Sequence, residues 1–240
     1  MSTLDPRRKI DAVGIVLPVH DEEELLPRAL RALDVALGAV APSISCRVAV
    51  VLDTCRDASS AIARRWAARV GALVIRRECR SVGLARGTGA LALLARWPEM
   101  DAARVWLATS DADSCVPQDW LTVQLEAHAA GVDLWAGRVR VAEESATVLR
   151  WTERYAEERE PIHGASLGFS GTLYTELGGF RSLRSSEDRD LHHRAVAAGF
   201  RIRHDPRATV TTSSRRKGRA PQGFAGLLET LEKEDLDATA

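Results

Sequence analysis

Short apolar runs alternate with amphipathic patterns over the first 137 residues of the chain. A short apolar run that ends in a turn is typical of a buried strand, and apolar positions three and four apart are typical of a helix. The runs predict five strands, at residues 12–19, 48–52, 72–75, 105–109 and 134–137. The helical patterns between them fall at residues 22–37, 57–70, 83–97 and 117–130. This order predicts an α/β fold with a mostly parallel central sheet and helices on both faces.

The pattern changes after about residue 138. The elements expected there are a charged helix at 143–159, a loop of small residues at 161–171, a helix that opens with acids at 186–198, short strands at 201–204 and 209–212, and a helix at 224–231. No linker or repeat separates this part from the first, so we expect residues 1–240 to form a single domain. Its halves would span about 12–137 and 138–232, and 233–240 would be a disordered tail.

Composition is that of an ordinary globular enzyme. The 240 residues are 45% hydrophobic, which is enough for a sizeable core. The formal net charge is zero, so no overall field favours nucleic acid or a membrane surface as a partner. No apolar stretch approaches the roughly 20 residues that span a bilayer, and the polar N-terminus lacks a signal-peptide core. We therefore expect a cytoplasmic protein without a transmembrane segment.

The four cysteines are expected to be reduced structural thiols. Cys46, Cys55, Cys79 and Cys115 form no Cys-x-x-Cys pair, so their spacing does not suit a zinc site. A chain of this size also needs no disulfide bonds to stabilise its core.

Two acids follow the fourth predicted strand. Asp111 and Asp113 come just after the apolar run at 105–109, at the carboxyl end of a strand, where open α/β sheets bind ligands. Positions i and i+2 of an extended chain project to the same side, and two neighbouring carboxylates repel unless a cation lies between them. A divalent ion that itself holds a phosphate is the natural candidate. The alternative is a solvated turn or a helix cap, in which Asp is common.

Polar residues also follow the first two predicted strands. The segment from His20 to Glu23 comes directly after the first strand, and Asp53 comes at the end of the second. Because the carboxyl ends of parallel strands meet at one edge of a sheet, we expect these residues to share a crevice with Asp111 and Asp113. Asp53 taken alone could equally be a turn acid.

Five motifs in chain order resemble those of glycosyltransferase family 2, the nucleotide-sugar transferases with the GT-A fold. The first, at residues 15–23, is an apolar strand followed by a proline, two residues and an acidic helix start. The others are a strand that ends in an acid-rich turn, an Asp-x-Asp turn, a loop of small residues and an acidic pair that opens a helix. They lie at residues 52–57, 111–113, 161–169 and 187–191. The resemblance covers about residues 12–212.

The resemblance implies a GT-A fold, in which a Rossmann-like, mostly parallel sheet forms the nucleotide-sugar-binding half beside a smaller acceptor-binding half. It implies an enzyme that uses Mg²⁺ or Mn²⁺ to move a sugar from a UDP- or GDP-sugar to an unknown hydroxyl acceptor, with inversion. Asp188 would be the general base, with Glu187 beside it. The residues expected to bind the nucleotide sugar are Pro18, His20, Glu22, Asp53, Arg86, Asp111, Ala112 and Asp113. Those expected at the acceptor are His163, Gly164, Ala165 and Trp151.

The same resemblance implies metal ligands from the Asp-x-Asp turn and from a late histidine. Asp113 would bind the ion directly, and Asp111 would bind it through water or hold the ribose. His204 is the candidate third ligand, although it precedes the usual place, which falls near residues 211–213. A turn or core histidine is the alternative interpretation of His204.

Other roles remain open for several of these residues. Asp188 also suits a helix N-terminus, where the helix dipole favours an acid, and Glu187 suits an N-cap. Arg86, in preference to Arg80, could bind phosphate through two guanidinium nitrogens, or it could be a solvated arginine. The basic run at 215–219 could close over the diphosphate or be a solvated loop, and it lacks the aromatic residues of an RNA-binding segment.

Three alternatives to the inverting enzyme remain: a retaining GT-A-type transferase, a nucleotidyltransferase and an inactive nucleotide-sugar-binding relative. Residues 18–24 contain no glycine, which counts against a nucleotidyltransferase. No Gly-x-Gly-x-x-Gly follows the first strand, which counts against a dinucleotide-dependent dehydrogenase. The presence of Asp111, Asp113 and Asp188 counts against an inactive relative.

Overall fold

The computed structural model describes residues 9–142, 145–158 and 160–213, and within them lies one seven-stranded sheet. The strands are β1 (Ala12–Val19), β2 (Ser45–Asp53), β3 (Leu73–Arg77), β4 (Val105–Thr109), β5 (Leu134–Val141), β6 (Leu167–Ser170) and β7 (Ile202–Thr212). Their order across the sheet is β3-β2-β1-β4-β6-β5-β7. β6 runs antiparallel to both of its neighbours, and the other pairings are parallel. The predicted α/β fold with a mostly parallel sheet is confirmed.

Helices cover both faces of this sheet. In the described residues they are α1 (Leu26–Gly38), α2 (Ser59–Val70), α3 (Val82–Leu94), α4 (Trp120–Ala129), α5 (Ala146–Glu157), α6 (Gly171–Glu176) and α7 (Glu187–Ala197). Side chains alternate between the faces of a strand, so β1 sends Ile15 into one apolar cluster and Val16 into the other. The first cluster includes residues of α1, α2, α4 and α5, and the second includes residues of α3, α6 and α7. None of the helices described here is long and apolar enough to cross a membrane.

Helix α3 lies very close to the sheet because the residue at the contact, Gly89, has no side chain. A Cβ atom on Gly89 would lie 2.5 Å from Cγ1 of Val16 and 3.1 Å from Cγ2 of Val51. Ser81 caps the N-terminus of this helix, and its hydroxyl accepts the N–H of Leu84 at 3.2 Å. Close packing of α3 buries Arg86, which lies one turn before Gly89, although arginine is seldom found in a protein interior.

The main departures from the sequence prediction lie in the second half of the chain. The loop predicted at 161–171 contains β6, which forms because it has a partner on each side: Phe169 is paired with Leu107 and with Leu134. The short helix α6 follows it and was likewise not predicted. The two strands predicted at 201–204 and 209–212 are one strand, β7, which continues through Asp205 and Pro206 with a shift of register.

Smaller differences concern the ends of helices. Helix α1 begins at Leu26 rather than at residue 22, and α4 begins at Trp120 rather than at residue 117. All four cysteines are free, as the sequence predicted. The helix predicted at 224–231, the basic run at 215–219 and the tail at 233–240 lie outside the described residues. The single-domain organisation and its two halves stay predictions.

Candidate active site

The carboxyl ends of β1, β2 and β4 lie side by side. β1 is paired with β2 as far as Val19 and Leu52, and with β4 as far as Val16 and Thr109. The segments that follow these strands therefore begin at the same edge of the sheet. The structure thus brings the turn after β1, Asp53 and the Asp-x-Asp turn to one region of the molecule.

Asp53 shapes the loop that follows β3. Its Oδ1 accepts hydrogen bonds from the N–H groups of Cys79 at 2.7 Å and Arg80 at 3.0 Å, and from the hydroxyl of Thr54 at 2.9 Å. The φ angles of Arg80 and Thr54 are +47° and +54°. Residues other than glycine seldom adopt such angles unless surrounding contacts hold the backbone there. Asp53 is therefore a structural anchor of this edge, in addition to the contact with a nucleotide that the resemblance implies.

The residues after β1 tie two loops together. His20 Nδ1 lies 2.6 Å from the carbonyl oxygen of Asp53, and the N–H of Glu22 donates to the hydroxyl of Ser59 at 2.7 Å. Pro18 belongs to β1 itself. Carboxylates that accept backbone N–H bonds across the same two loops belong to Asp21, Glu23 and Asp57. These contacts hold the edge of the predicted nucleotide site in a fixed shape.

The Asp-x-Asp turn is bound to the end of β7. The hydroxyl of Ser114 lies 3.0 Å from Oδ1 of Asp113 and 2.9 Å from Oγ1 of Thr212. Ala112, between the two acids, is buried in the first apolar cluster, the one that includes residues of α1, α2, α4 and α5. The turn is therefore fixed both by the core and by the last residue of β7.

A buried arginine lies between Asp111 and Glu187. Nη2 of Arg86 pairs with Oδ1 of Asp111, and Nη1 pairs with Oε1 of Glu187. The side chains of Arg86 and Glu187 are 4% and 2% exposed, whereas that of Asp111 is 37% exposed. A buried carboxylate is costly unless a cation is paired with it, and Arg86 meets that need for Glu187. Arg86 is therefore not a solvated arginine.

Asp188 contacts the loop of small residues. Its Oδ2 accepts the N–H of Gly164 at 2.7 Å, and the carbonyl oxygen of Gly164 accepts the hydroxyl of Thr109 at 2.6 Å. A Cβ atom on Gly164 would overlap with the guanidinium of Arg86. Five residues thus form one connected group, which we call the Arg86 cluster: Arg86, Asp111, Gly164, Glu187 and Asp188.

The packing of Gly164 leads to a stability prediction. Gly164→Ala should lower the free energy of unfolding by about 2–4 kcal/mol, because the added methyl displaces the guanidinium of Arg86 from its buried partners. Thermal or denaturant unfolding measures this change. Gly38→Ala is the matched control, since a Cβ at Gly38 meets nothing within 4 Å. Equal stability of the two variants would contradict the packing described for Gly164.

His163 lies in the same loop and is neutral at pH 7. Burial lowers its pKa to about 4, against the opposing effect of the Asp188 charge, which raises it. Its Nε2 is buried and has no hydrogen-bond partner among the described residues. The ring packs edge-on against Tyr155, with 5.3 Å between the ring centroids. The structure therefore places His163 near the predicted base as an uncharged side chain.

Trp151 and Ala165, also expected at the acceptor, are core residues here. Trp151 stacks on Tyr155 with 4.6 Å between the ring centroids and 16° between their planes. Both Trp151 and Ala165 are buried in the first apolar cluster. Trp151 thus packs against the protein and does not present its ring at the surface.

His204 lies away from the Asp-x-Asp turn. It is opposite Ala136 in the sheet, and its Nε2 is 3.3 Å from Nε2 of His192. The strand continues to Thr212 before it reaches the turn, and at about 3.3 Å per residue that path is roughly 25 Å long. Because β7 is one extended strand, the structure does not bring His204 to Asp111 and Asp113. Across the ranges that the structure describes, no three His, Cys, Asp or Glu side chains are arranged to hold a metal ion.

Comparison with known proteins decides the family. The sequence matches the family described as "Glycosyl transferase family 2" over residues 14–191, which is more than half of the 240 residues. The chain belongs to this family. The resemblance drawn from the motifs is therefore confirmed. The sequence matches none of the curated proteins with which it was compared.

Solved structures share the fold of this chain. S. aureus TarS 1-349 in complex with UDP is 14% identical, with a TM-score of 0.64 over 93% of this chain and 65% of that one. The mannosyltransferase PcManGT from Pyrobaculum calidifontis, in complex with GDP-Man and Mn²⁺, is 20% identical, with a TM-score of 0.57 over 96% and 71% of the two chains. GalNAc-T7 with UDP, GalNAc and Mn²⁺ is 12% identical, with a TM-score of 0.65 over 92% and 48%. The GT-A fold is confirmed, and the chain spans only part of each of these structures.

The Asp-x-Asp turn has a donor set that suits Mg²⁺ or Mn²⁺. Ions of this kind are often held by one or two carboxylates together with substrate phosphates, without a full set of protein ligands. Asp111 gives one oxygen to Arg86 and is partly exposed, and Asp113 lies within hydrogen-bond distance of Ser114. Two carboxylates at the sheet edge therefore fit an ion that is shared with a bound diphosphate.

Sequence reasoning missed the role of Arg86 as the partner of both Asp111 and Glu187. The signal was present, because Arg86 is the one charged residue in α3, which is otherwise apolar and rich in glycine. A lone charge in such a helix indicates a buried ion pair. No comparable pattern in the sequence indicated the contacts of Thr109 with Gly164 and of Ser114 with Thr212.

Proposed function

We propose that this glycosyltransferase moves a sugar from a UDP- or GDP-sugar to an acceptor hydroxyl, with inversion, in a metal-dependent reaction in which Asp188 is the base. The Arg86 cluster is the observation that carries the proposal, because it joins Asp111 on the donor side to Glu187 and Asp188. The titles of the TarS and PcManGT structures, which name UDP and GDP-Man with Mn²⁺, support this donor class.

The donor would bind along the carboxyl edge of β1, β2 and β4. Asp113 would hold the metal ion, and Asp111 would contact it through water or hold the ribose. When bound, Mg²⁺ or Mn²⁺ would offset the negative charge that develops on the leaving diphosphate. His20, Glu22 and Asp53 would line the nucleotide pocket, which their hydrogen bonds keep in shape.

The transfer step needs a proton acceptor at the attacking hydroxyl. As the acceptor oxygen forms its bond to the anomeric carbon, its proton passes to a carboxylate oxygen of Asp188. The bond between the anomeric carbon and the diphosphate breaks, and the nucleoside diphosphate leaves with the electron pair. The N–H of Gly164 fixes the orientation of the Asp188 carboxylate for this step. Attack from the side opposite to the leaving group inverts the anomeric configuration.

Inversion makes a prediction about the first product. With α-linked UDP- and GDP-sugars, Mn²⁺ and water as the acceptor, the sugar released first should be the β-anomer. Proton NMR of the anomeric region follows this product before the anomers equilibrate. Release of the α-anomer would contradict inversion, and failure to turn over any UDP- or GDP-sugar would contradict the proposed donor class.

A further inference from the structure

We infer that Arg86 is a positioning residue that fixes Asp111 and the N-terminus of α7 relative to each other, and not a ligand of the donor diphosphate. The inference depends on the proposed function for the roles of Asp111 and Asp188. It replaces the phosphate contact that the resemblance implied for Arg86.

The guanidinium of Arg86 is already occupied. Its two terminal nitrogens pair with Asp111 and Glu187, and its Nε is buried without a hydrogen-bond partner among the described residues. An arginine that grips phosphate presents two N–H groups side by side to the ligand. The side chain of Arg86 is only 4% exposed, so it offers no such surface to a diphosphate.

Packing holds the arginine in this position. Gly164 lies against the guanidinium so closely that a Cβ atom there would overlap with it. A Cβ atom on Gly83, one turn earlier in α3, would lie 3.0 Å from Cβ of Glu187. The hydroxyl of Ser81 also donates to the carbonyl oxygen of Leu183 at 2.6 Å. The start of α3 is therefore fixed to the segment that leads into α7.

The charges of Arg86 and of the two acids paired with it support the same role. Arg86 carries one positive charge, and Asp111 and Glu187 together carry two negative charges. Glu187 is buried and needs full compensation, whereas Asp111 is 37% exposed. The excess negative charge is thus located at Asp111, on the side where a donor-bound cation is expected. One arginine therefore neutralises the inner acid and orients the outer one.

The position of Asp188 depends on Arg86 through two neighbouring residues. Glu187, which is paired with Arg86, is the neighbour of Asp188 in α7, and Gly164, which packs on Arg86, donates its N–H to Asp188. A change at residue 86 should therefore displace the predicted base without any contact between Arg86 and the donor.

The test compares Arg86→Lys with Arg96→Lys, an exposed arginine just after α3. Lysine keeps the positive charge, but its single nitrogen cannot bridge two carboxylates as a guanidinium does. We expect faster hydrogen exchange in Arg86→Lys over residues 161–170 and 185–195. Affinity for UDP and GDP in Mn²⁺, measured by calorimetry, should change by less than about threefold, because Asp113 still holds the ion and lysine keeps a positive charge beside Asp111. Turnover of the donor should fall about 100-fold, as expected for a displaced catalytic group. Arg96→Lys should match the unmodified protein in all three measurements.

The opposite pattern would overturn the inference. If Arg86 holds the diphosphate, Arg86→Lys should weaken UDP or GDP binding by about tenfold or more, with unchanged exchange over 161–170. Glu187→Gln, which keeps the shape of the side chain but replaces the carboxylate paired with Arg86 by a neutral amide, is a second variant for which we expect the same loss of turnover without loss of affinity. If the unmodified protein binds neither nucleotide, the proposed function fails, and the exchange measurement still decides whether Arg86 positions the loop and α7.

Discussion

Asp188→Asn should lower the turnover of the proposed sugar transfer by about 10²–10⁴-fold, with the affinity for UDP or GDP unchanged. Asparagine has nearly the same shape, and its amide oxygen can still accept the N–H of Gly164, so the loop keeps its position. The amide cannot take the proton of the acceptor hydroxyl. Release of nucleoside diphosphate from the donor measures the turnover, and calorimetry measures the affinity.

Asp190→Asn is the matched control on the same helix. Asp190 pairs with Arg181 and Arg194 and makes no contact with Gly164, so its loss should affect stability more than turnover. Full turnover in Asp188→Asn would show that Asp188 is an N-terminal helix acid and not the base. A loss of nucleotide affinity in that variant would also contradict the assigned role.

Asp113→Asn should weaken the metal-dependent binding of UDP or GDP by at least about tenfold. The reason is that a neutral amide is a poorer ligand than a carboxylate for a hard divalent cation. The measurement is a calorimetric titration in Mn²⁺, repeated in EDTA. In EDTA the variant and the unmodified protein should bind alike, because the metal no longer contributes.

Asp119→Asn provides the control for this second prediction. Asp119 is an exposed residue that precedes α4 and makes no capping hydrogen bond with its side chain. Its replacement removes the same charge without touching the sheet edge, so affinity in Mn²⁺ should not change. Equal losses in Asp113→Asn and Asp119→Asn would mean that general electrostatics, and not a metal ligand, explain the effect.

The strands that carry the donor side were predictable because they are buried on both faces. The predicted bounds of β1 and β4 are those of the structure, since each is a continuous run of apolar residues that ends in polar ones. β6 could not be predicted in the same way. Its four residues include Gly168 and Ser170, and it is a strand only because β4 and β5 provide partners on both sides.

The candidate site was predictable in part for a related reason. The apolar runs placed Asp53, Asp111 and Asp113 at strand ends, and parallel strands bring such ends to one edge. The position of His204 depended on how the chain continues beyond Asp205 and Pro206. Sequence suggested a break there, whereas the strand continues, so His204 lies beside His192 and not at the turn.

The ion pairs of Arg86 show a further limit of sequence patterns. The apolar surroundings of Arg86 in α3 indicate that it is buried, but they do not say which of the many acids in the chain becomes its partner. That choice depends on contacts between α3, the end of β4 and the start of α7, which are far apart in sequence. Only the assembled fold brings Asp111 and Glu187 to the same guanidinium.

The measurement that tests the central proposal most directly is the titration of UDP and of GDP into the unmodified protein, each in Mn²⁺ and in EDTA. We predict that one of the two nucleotides binds in Mn²⁺ and that EDTA abolishes or strongly weakens this binding. Binding that is equally strong in EDTA would contradict a metal held by Asp111 and Asp113. Binding of neither nucleotide under either condition would contradict the assignment of this edge to a UDP- or GDP-sugar.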